Sequence, residues 1–263
     1  MAIQTAERSS HLDPSENVIF QRHMVAYKKA AKLINGTVLE IGCGEGYGIS
    51  ELAKYSKKYI GVDKFDTYIS EKLMTENDIV FHKMEIPPLL NIESNSVDFV
   101  VTFQVIEHIQ DDNFFLEEIH RVLKPGGILL LTTPNKLMSL SRNPWHIREY
   151  TPIEMKKVLC NYFPDVDVQG VFGNDLVMNY YEKNKKSVKK ITRFDIFNFQ
   201  YLLPRWALQI PYDILNRLNR KNLKNNNQSM VDSVKVEDYS IKSSTENCLD
   251  YFCIAVSYTH LRA

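Results

Sequence analysis

Neither sign of charge is in excess in this chain. Thirty-two lysines and arginines stand against 32 aspartates and glutamates, so bulk charge does not mark it for nucleic acid or for an anionic membrane. Apolar runs of about 18 residues, the length that a membrane-crossing helix needs, are missing. The opening stretch, Met1 to Ser10, is polar, so no secretory signal is expected. Cysteine is sparse. Cys43, Cys160, Cys248 and Cys253 form neither a CxxC pair nor a disulfide-like framework, which fits a reducing cytoplasm. Glycine is sparse too, with 10 in 263 residues, yet four of them crowd into one short stretch at positions 42, 44, 46 and 48.

That stretch lies where a strand ends. Thr37 to Ile41 is short and apolar apart from Glu40, and Tyr47 to Tyr55 has the pattern of a helix. Glycine lets a backbone come close to a ligand and tolerates positive φ, and helix N-termini aim free N–H groups forward. The same alternation continues downstream. Strands are predicted at Tyr59–Val62, ending at Asp63, and at Ile79–Met84, Val97–Phe103, Ile128–Thr132, Val166–Val171 and Asp250–Ser257. Helices are predicted over Ser15–Ile34, from Asp63 to about Thr75, from Asp111-Asp112 to Leu123, and over Thr151–Cys160. Nearly uniformly apolar strands alternating with helices imply a parallel sheet covered on both faces. Ligands then sit beyond the carboxyl ends of the strands.

The glycine turn does not fit the dinucleotide spacing G-x-G-x-x-G, because Tyr47 occupies the third glycine position. Glu40-Ile41-Gly42-Cys43-Gly44-Glu45-Gly46 instead resembles the E-x-G-x-G-x-G motif of class I S-adenosylmethionine (SAM) dependent methyltransferases. Four further segments are similar to that family: Gly61-Val62-Asp63, Asn95 to Val100, Arg121-Val122-Leu123-Lys124-Pro125-Gly126-Gly127, and His146 to Thr151. The last resembles the type 11 and UbiG-like branches. The resemblance covers roughly Ser15 to Val171 and the last strand. It implies an α/β, Rossmann-like, seven-stranded sheet, mostly parallel with the last strand antiparallel, helices on both faces and a helical lid inserted before the last strand. It implies SAM as cofactor and S-adenosylhomocysteine as product.

On that resemblance the cofactor-binding residues are Glu40, Gly42, Cys43, Gly44, Gly46, Tyr47, Asp63, Lys64, Met84, Glu85 and Gln104. Asp63 offers two acceptor oxygens to two ribose hydroxyls. Glu40 either accepts loop amides or reaches the methionine ammonium. Glu85 is the acid nearest the Ile86-Pro87 that follows strand three, although His82 or Lys83 could take its place. Gln104 faces the methionine part. Cys43 is read as packed rather than reactive. Methyl transfer needs alignment and, for some acceptors, a base. His146 is the leading catalytic candidate, with Arg148 as an anion or carbonyl anchor and His108 either a base or a helix-start histidine that packs. Some UbiG-like relatives place an acid where Gln104 stands and hold a metal with a Glu-His cluster; with glutamine there, no metal is expected.

From Lys183 to Lys224 eleven basic residues face two acids, Asp195 and Asp213, with Phe194, Phe197, Phe199, Tyr201, Trp206 and Tyr212 interleaved. The preferred reading is a lid whose aromatics line the acceptor pocket and whose lysines face water. A sharper one is a peripheral contact with the inner membrane surface, suited to a lipid or quinone-like acceptor. Nucleic acid is disfavoured, since no known RNA-binding module is present. Asn222–Ser229 reads as a loose polar loop. One domain is expected over 1–263: an N-terminal helical segment 1–36, a SAM-binding core 37–172, the lid 173–248, a final strand 249–257 and a tail 258–263 that continues no pattern. The expected activity is methyl transfer to oxygen or carbon of a small-molecule or lipid-like acceptor. The competing readings are a catalytically inactive SAM-binding regulator and, against the evidence of Tyr47 and the lack of a Tyr-x-x-x-Lys pair, an NAD-dependent oxidoreductase.

Overall fold

A computed structural model describes residues 13–67, 69–195 and 198–257. The expectations for Met1 to Ser10, for Phe197 and for the tail 258–263 lie outside the described residues. In chain order the elements are α1 (Asn17–Ala30), β1 (Thr37–Ile41), α2 (Ile49–Leu52), β2 (Lys58–Asp63), α3 (Glu71–Glu76), β3 (Ile79–Lys83), β4 (Val97–Phe103), α4 (Asp112–Val122), β5 (Leu123–Pro134), α5 (Pro152–Cys160), β6 (Asp165–Gly173), α6 (Asp175–Thr192), α7 (Phe199–Leu202), α8 (Arg205–Asn226), α9 (Gln228–Ser233), β7 (Tyr239–Lys242) and β8 (Asp250–Val256).

The strands form one eight-stranded sheet in the order β3-β2-β1-β4-β5-β8-β6-β7. Pairing is parallel from β3 through β5, and β8 runs antiparallel to both β5 and β6. The strand absent from the sequence expectation is β7, antiparallel to β6 at the edge. It lies within the stretch assigned to the lid, so the lid ends before Tyr239 and the sheet has eight strands rather than seven. Only four residues long, β7 carries too short an apolar alternation to stand out.

Alternation along the central strands sorts side chains into two cores. Val38, Phe99, Val101, Leu130 and Phe252 pack toward α1 and α2, while Leu39, Val100, Leu129, Leu131 and Tyr251 pack toward α4 and α5. α4 starts where the Asp111 carboxylate accepts from Phe114 N. It buries Phe115, Leu116, Ile119 and Val122 completely, each contributing about 1.5–3 kcal/mol. α5 opens with a reciprocal cap between Thr151 and Glu154.

Two of the motif segments are structural clamps. The Asp98 carboxylate accepts from Thr37 N and from Lys124 Nζ, both at 2.8 Å, which ties β4 to the start of β1 and to β5. Arg121 pairs with Glu118 and donates to the carbonyls of Leu89 and Ile92, locking α4 to the segment after β3. The supposed loop Asn222–Ser229 is helical except for Asn227, because buried Leu223 and Val231 anchor it on either side.

Candidate functional site

The glycine turn leaves the end of β1 with Gly42, Gly44 and Gly46 all at positive φ. Gly42 is additionally irreplaceable on steric grounds, since a Cβ there would meet Val105 at 2.4 Å. At Gly44 a Cβ would meet nothing within 4 Å, so open space lies beside the apex of the turn. Asp63, at the end of β2, stands next to it. One of its oxygens accepts from Gly44 N at 2.8 Å and the other from Phe65 N at 2.9 Å. Each oxygen keeps a second lone pair. Thr67 Oγ1 donates to the Gly44 carbonyl, and Met84 N to the Asp63 carbonyl. The ends of β1, β2 and β3 are thus hydrogen-bonded into one cradle. Met84 is half-buried at its edge, whereas Lys64 and Glu85 are exposed, with the Lys64 ammonium 5.2 Å above the Phe65 ring.

Glu40 takes neither expected position. Strand alternation turns it to the α1 side, where the Tyr27 hydroxyl donates to one oxygen at 2.6 Å and the Tyr59 hydroxyl to the other. Burial pushes its carboxyl up to about 7, against the opposing pull of the two tyrosines. It therefore braces the turn from behind. Tyr47 also points back to α1, packing edge-on against Phe20 and Tyr27 with His23 Nδ1 3.3 Å from its hydroxyl. Cys43 is buried and its thiol pushed up by that burial, consistent with packing. Helix α2 is a single turn, followed by a 3-10 turn at Ala53–Tyr55. Gln104, just past β4, sits at φ +58 with its Nε2 donating to Thr132 Oγ1 at 3.2 Å.

Beyond β4 and β5 a cavity of about 500 Å³ opens. Its floor holds Gln104, Glu107, His108, Asn135, His146 and Glu149; its walls come from α1, α6 and α8, with Val18, Ile19, Val177, Ile191, Leu208 and Leu215. His146 and Glu149 form a dyad, with Nδ1 2.6 Å from the carboxylate. Ser139 Oγ donates to the other Glu149 oxygen. Asn143 Oδ1 accepts from Trp145 N at 3.0 Å, which directs its Nδ2 to His146 Nε2 at 2.8 Å. His108 packs edge-on to His146 at 5.0 Å, with Nδ1 3.1 Å from the Trp145 carbonyl oxygen. Glu107 is buried and accepts from Thr133 Oγ1 at 3.0 Å.

Arg148 departs from its expected role. It is 51% exposed and paired with Asp112, which also accepts from the Tyr150 hydroxyl at 2.6 Å, and it is not among the residues that line the cavity. The pairing raises its guanidinium further above its ordinary value. Residue Ile147 intervenes and is held by the Glu107 carbonyl, so His146 faces inward while Arg148 turns out. The lid is likewise split. Phe199 and Tyr212 line the cavity, but Phe194, Tyr201 and Trp206 are exposed. As for a metal, Glu107, His108 and His146 bring one ligand atom each within 4.8 Å of one another. The expectation of none rested on Gln104, which is not one of these three residues. Both nitrogens of His146 are, however, already engaged by Glu149 and Asn143.

Sequence reasoning passed over Glu149, whose signal was its spacing of three from His146, and Tyr27, Tyr59 and Arg22, for which no local signal exists.

Comparison with known proteins gives a consistent result. A family profile described as a methyltransferase domain matches residues 39–131. A probable SAM-dependent methyltransferase of Mycolicibacterium smegmatis is 37% identical over 175 residues, spanning 64% of this chain and 68% of that one. A ubiquinone biosynthesis O-methyltransferase of a Chelativorans species is 28% identical over 114 residues, 42% of this chain and 45% of that one. Among solved structures, a SAM-dependent methyltransferase and possible histamine N-methyltransferase of Thermotoga maritima superposes with a TM-score of 0.52 at 15% identity, covering 92% of this chain and 91% of that one. At that identity it speaks for the fold alone.

Proposed function

The chain belongs to the SAM-dependent methyltransferases, and from that premise we propose that it methylates an oxygen or carbon of an amphipathic small molecule held in the cavity, with His146 as proton acceptor. The observation that carries the proposal is the His146–Glu149 dyad on the floor of an apolar-walled cavity. When bound, SAM supplies a methyl group already activated on a sulfonium sulfur; Asp63, the 42–46 turn, Met84 and Gln104 are the residues assigned to hold it. The protein's own task is then alignment and proton removal. With the Asn143 amide donating to Nε2, the neutral ring carries its proton on Nδ1 and gives it to Glu149. Nε2 is the basic nitrogen, and an acceptor hydroxyl that displaces the Asn143 amide would deliver its proton there. Glu149 stabilises the imidazolium that results, as an orienting carboxylate does for other histidine bases. His108 and Glu107 shape the same floor. We assign residues 37–172 as the cofactor core and the stretch between β6 and β7 as the acceptor lid of one domain.

The experiment is incubation of the protein and deuterated-methyl SAM with a fractionated cell extract, followed by mass spectrometry. A labelled small molecule that disappears with His146→Gln supports the proposal. SAM binding with no labelled product from any fraction points to the non-catalytic regulator.

The acceptor's source is proposed to be a membrane surface. No described helix is long and apolar enough to cross a membrane, but α8 carries an outward stripe at four-residue spacing. In it Trp206 is 76% and Ile210 71% exposed, followed by Ile214 and Leu218. Leu202 and Phe194 are exposed as well, and Lys189, Lys190, Arg193 and Arg217 belong to the same stretch of chain. Aromatics that dip into the interface with cations on anionic headgroups match this composition. The other face of the same helix lines the cavity. Flotation with anionic vesicles should carry the protein up at low salt, and Trp206→Ser with Ile210→Ser should release it. Concentration-dependent dimerisation abolished by the same pair would instead assign the stripe to a second copy.

A further inference from the structure

Among the arginines that line the cavity, Arg22 stands apart. Arg22 lies on the cavity face of α1, one turn beyond Val18 and next to Ile19 in the lining. Its Nε stands 3.0 Å from Asp250 Oδ2. Asp250 is the first residue of β8, fixed by register partners on both sides, Pro134 of β5 and Val171 of β6, and its side chain is 3% exposed. Burial raises its carboxyl, and Arg22 is the first influence that opposes this, while Glu149 and His146 act on it as well. Arg22 lines the same cavity as His146 and Glu149.

The pair is incomplete. Arg22 Nε and Asp250 Oδ1 are buried and make no hydrogen bond, so charge holds the two residues together rather than the aligned fork that arginine and carboxylate usually form. Among the described residues the two Nη groups have no hydrogen-bond partner either, and the Arg22 side chain is 25% exposed. Guanidinium offers five N–H donors in a planar fork suited to a carboxylate or a phosphate. The arrangement is directional: the carboxylate lies behind, sealed in the sheet, and the cationic edge is what a ligand meets. The other arginines of the cavity are engaged, Arg142 with the Gln200 carbonyl and Arg220 with Glu16.

We propose that Arg22 binds an anionic oxygen group of the methyl acceptor, a carboxylate or a phosphate ester, and that Asp250 fixes the guanidinium for it. The acceptor is then an amphipathic acid. Its anionic group lies on Arg22, its reacting atom lies at His146, and its apolar remainder runs between α6 and α8 against Ile191, Leu208 and Leu215. This rests on the methyltransferase reading and on the same cavity.

The test is calorimetric titration of the protein saturated with S-adenosylhomocysteine, using octanoate, octyl phosphate and octanol as probes. The wild type should bind at least one of the two anions about tenfold or more tightly than octanol, the gain expected of a charge-assisted contact. The anion with the larger gain identifies the carboxylate or phosphate source. Arg22→Met should bring the anions down to the level of octanol while S-adenosylhomocysteine binds as before. Because that variant leaves Asp250 without its cation, Arg22→Met with Asp250→Asn should give the same loss with both charges removed. Equal binding of all three probes by the wild type, or an anion preference retained in the double variant, overturns the proposal. Failure of the wild type to bind S-adenosylhomocysteine would count against the methyltransferase reading itself, a separate outcome seen before any probe is added.

Discussion

The ends proposed here for the cofactor and for the acceptor are built on opposite plans. At the cofactor end, contacts run from backbone to backbone, from one carboxylate to nearby amides, or from one hydroxyl to a backbone carbonyl. Asp63 reaches Gly44 N, Thr67 reaches the Gly44 carbonyl, and Met84 N reaches the Asp63 carbonyl. All of these lie within the turns that end β1, β2 and β3. At the acceptor end the cavity is assembled from α1, the 134–149 loops, α6 and α8, segments separated by as much as two hundred positions in the chain. Its polar groups are held by side chains in series: Ser139 holds Glu149, Glu149 holds His146, and Asp250 holds Arg22. A plan made of strand ends and glycine turns constrains the local sequence tightly and leaves a motif. Side chains brought together by tertiary packing leave little beyond the short His146–Thr151 segment. The first plan suits a ligand that is the same throughout a family, the second a ligand that differs from member to member.

Perturbing each end separately tests whether the division holds. The largest effect is expected at His146. His146→Gln should lower kcat by about 10²–10⁴-fold, the range for a positioned acid or base, and leave the affinity for SAM unchanged. If SAM affinity fell in parallel, the two ends would not be independent. Glu149→Gln should lower kcat by a smaller factor, because the ring keeps its basic nitrogen and loses only the group that orients it and stabilises its charged form.

Asp63→Ala comes next. It removes a carboxylate that accepts from Gly44 N and Phe65 N and that is assigned to the ribose hydroxyls. At 1.5–3 kcal/mol for each hydrogen bond to a charged group, SAM affinity should fall by about 10²-fold or more. Calorimetry measures this directly. Binding of the amphipathic probes at the other end should survive in the variant, and their loss would show that the cradle organises the acceptor cavity as well.

The same division explains what the sequence made legible. The parallel sheet follows from strand periodicity, and the turn at 42–48 and Asp63 from their place at strand ends and from the family resemblance. The structure joins those two at one end of the strands, while Asp98 and Arg121, inside the other resembling segments, act as clamps elsewhere. The eighth strand stayed hidden because Tyr239–Lys242 is four residues at an edge. Residues 222–229 read as a loop because asparagine is a poor helix former, yet burial of Leu223 and Val231 outweighs local preference. Arg148 was misassigned because residues two apart in an irregular loop need not share a side, and Asp112, which captures it, lies 36 positions earlier. Arg22 was invisible: only the fold brings α1 against the start of β8.

The smallest effect, and the one that sharpens the comparison most, concerns the helix that serves both ends. α1 presents Arg22 to the acceptor cavity and Tyr27 to Glu40 behind the cofactor turn. Burial raises the Glu40 carboxyl to about 7, above its value in an unfolded chain. The folded state therefore holds this proton more tightly. The stabilisation from the protonated acid is complete below about pH 4.5 and is lost as pH rises through about 7. The wild type should lose on the order of 2 kcal/mol of stability between pH 5 and pH 8 relative to Glu40→Gln, which keeps a group able to meet Tyr27 and Tyr59 without titrating. Urea unfolding of both proteins at the two pH values gives the difference. A flat profile in the wild type would mean that the tyrosine hydroxyls compensate for burial, leaving Glu40 charged. Where the difference does appear, turnover followed over the same interval tells whether α1 carries the change across. If the Glu40 proton alters the SAM affinity but not the octanoate affinity, α1 is a rigid bar between two independent sites. If it alters both, the helix is the mechanical link between the cradle and the cavity.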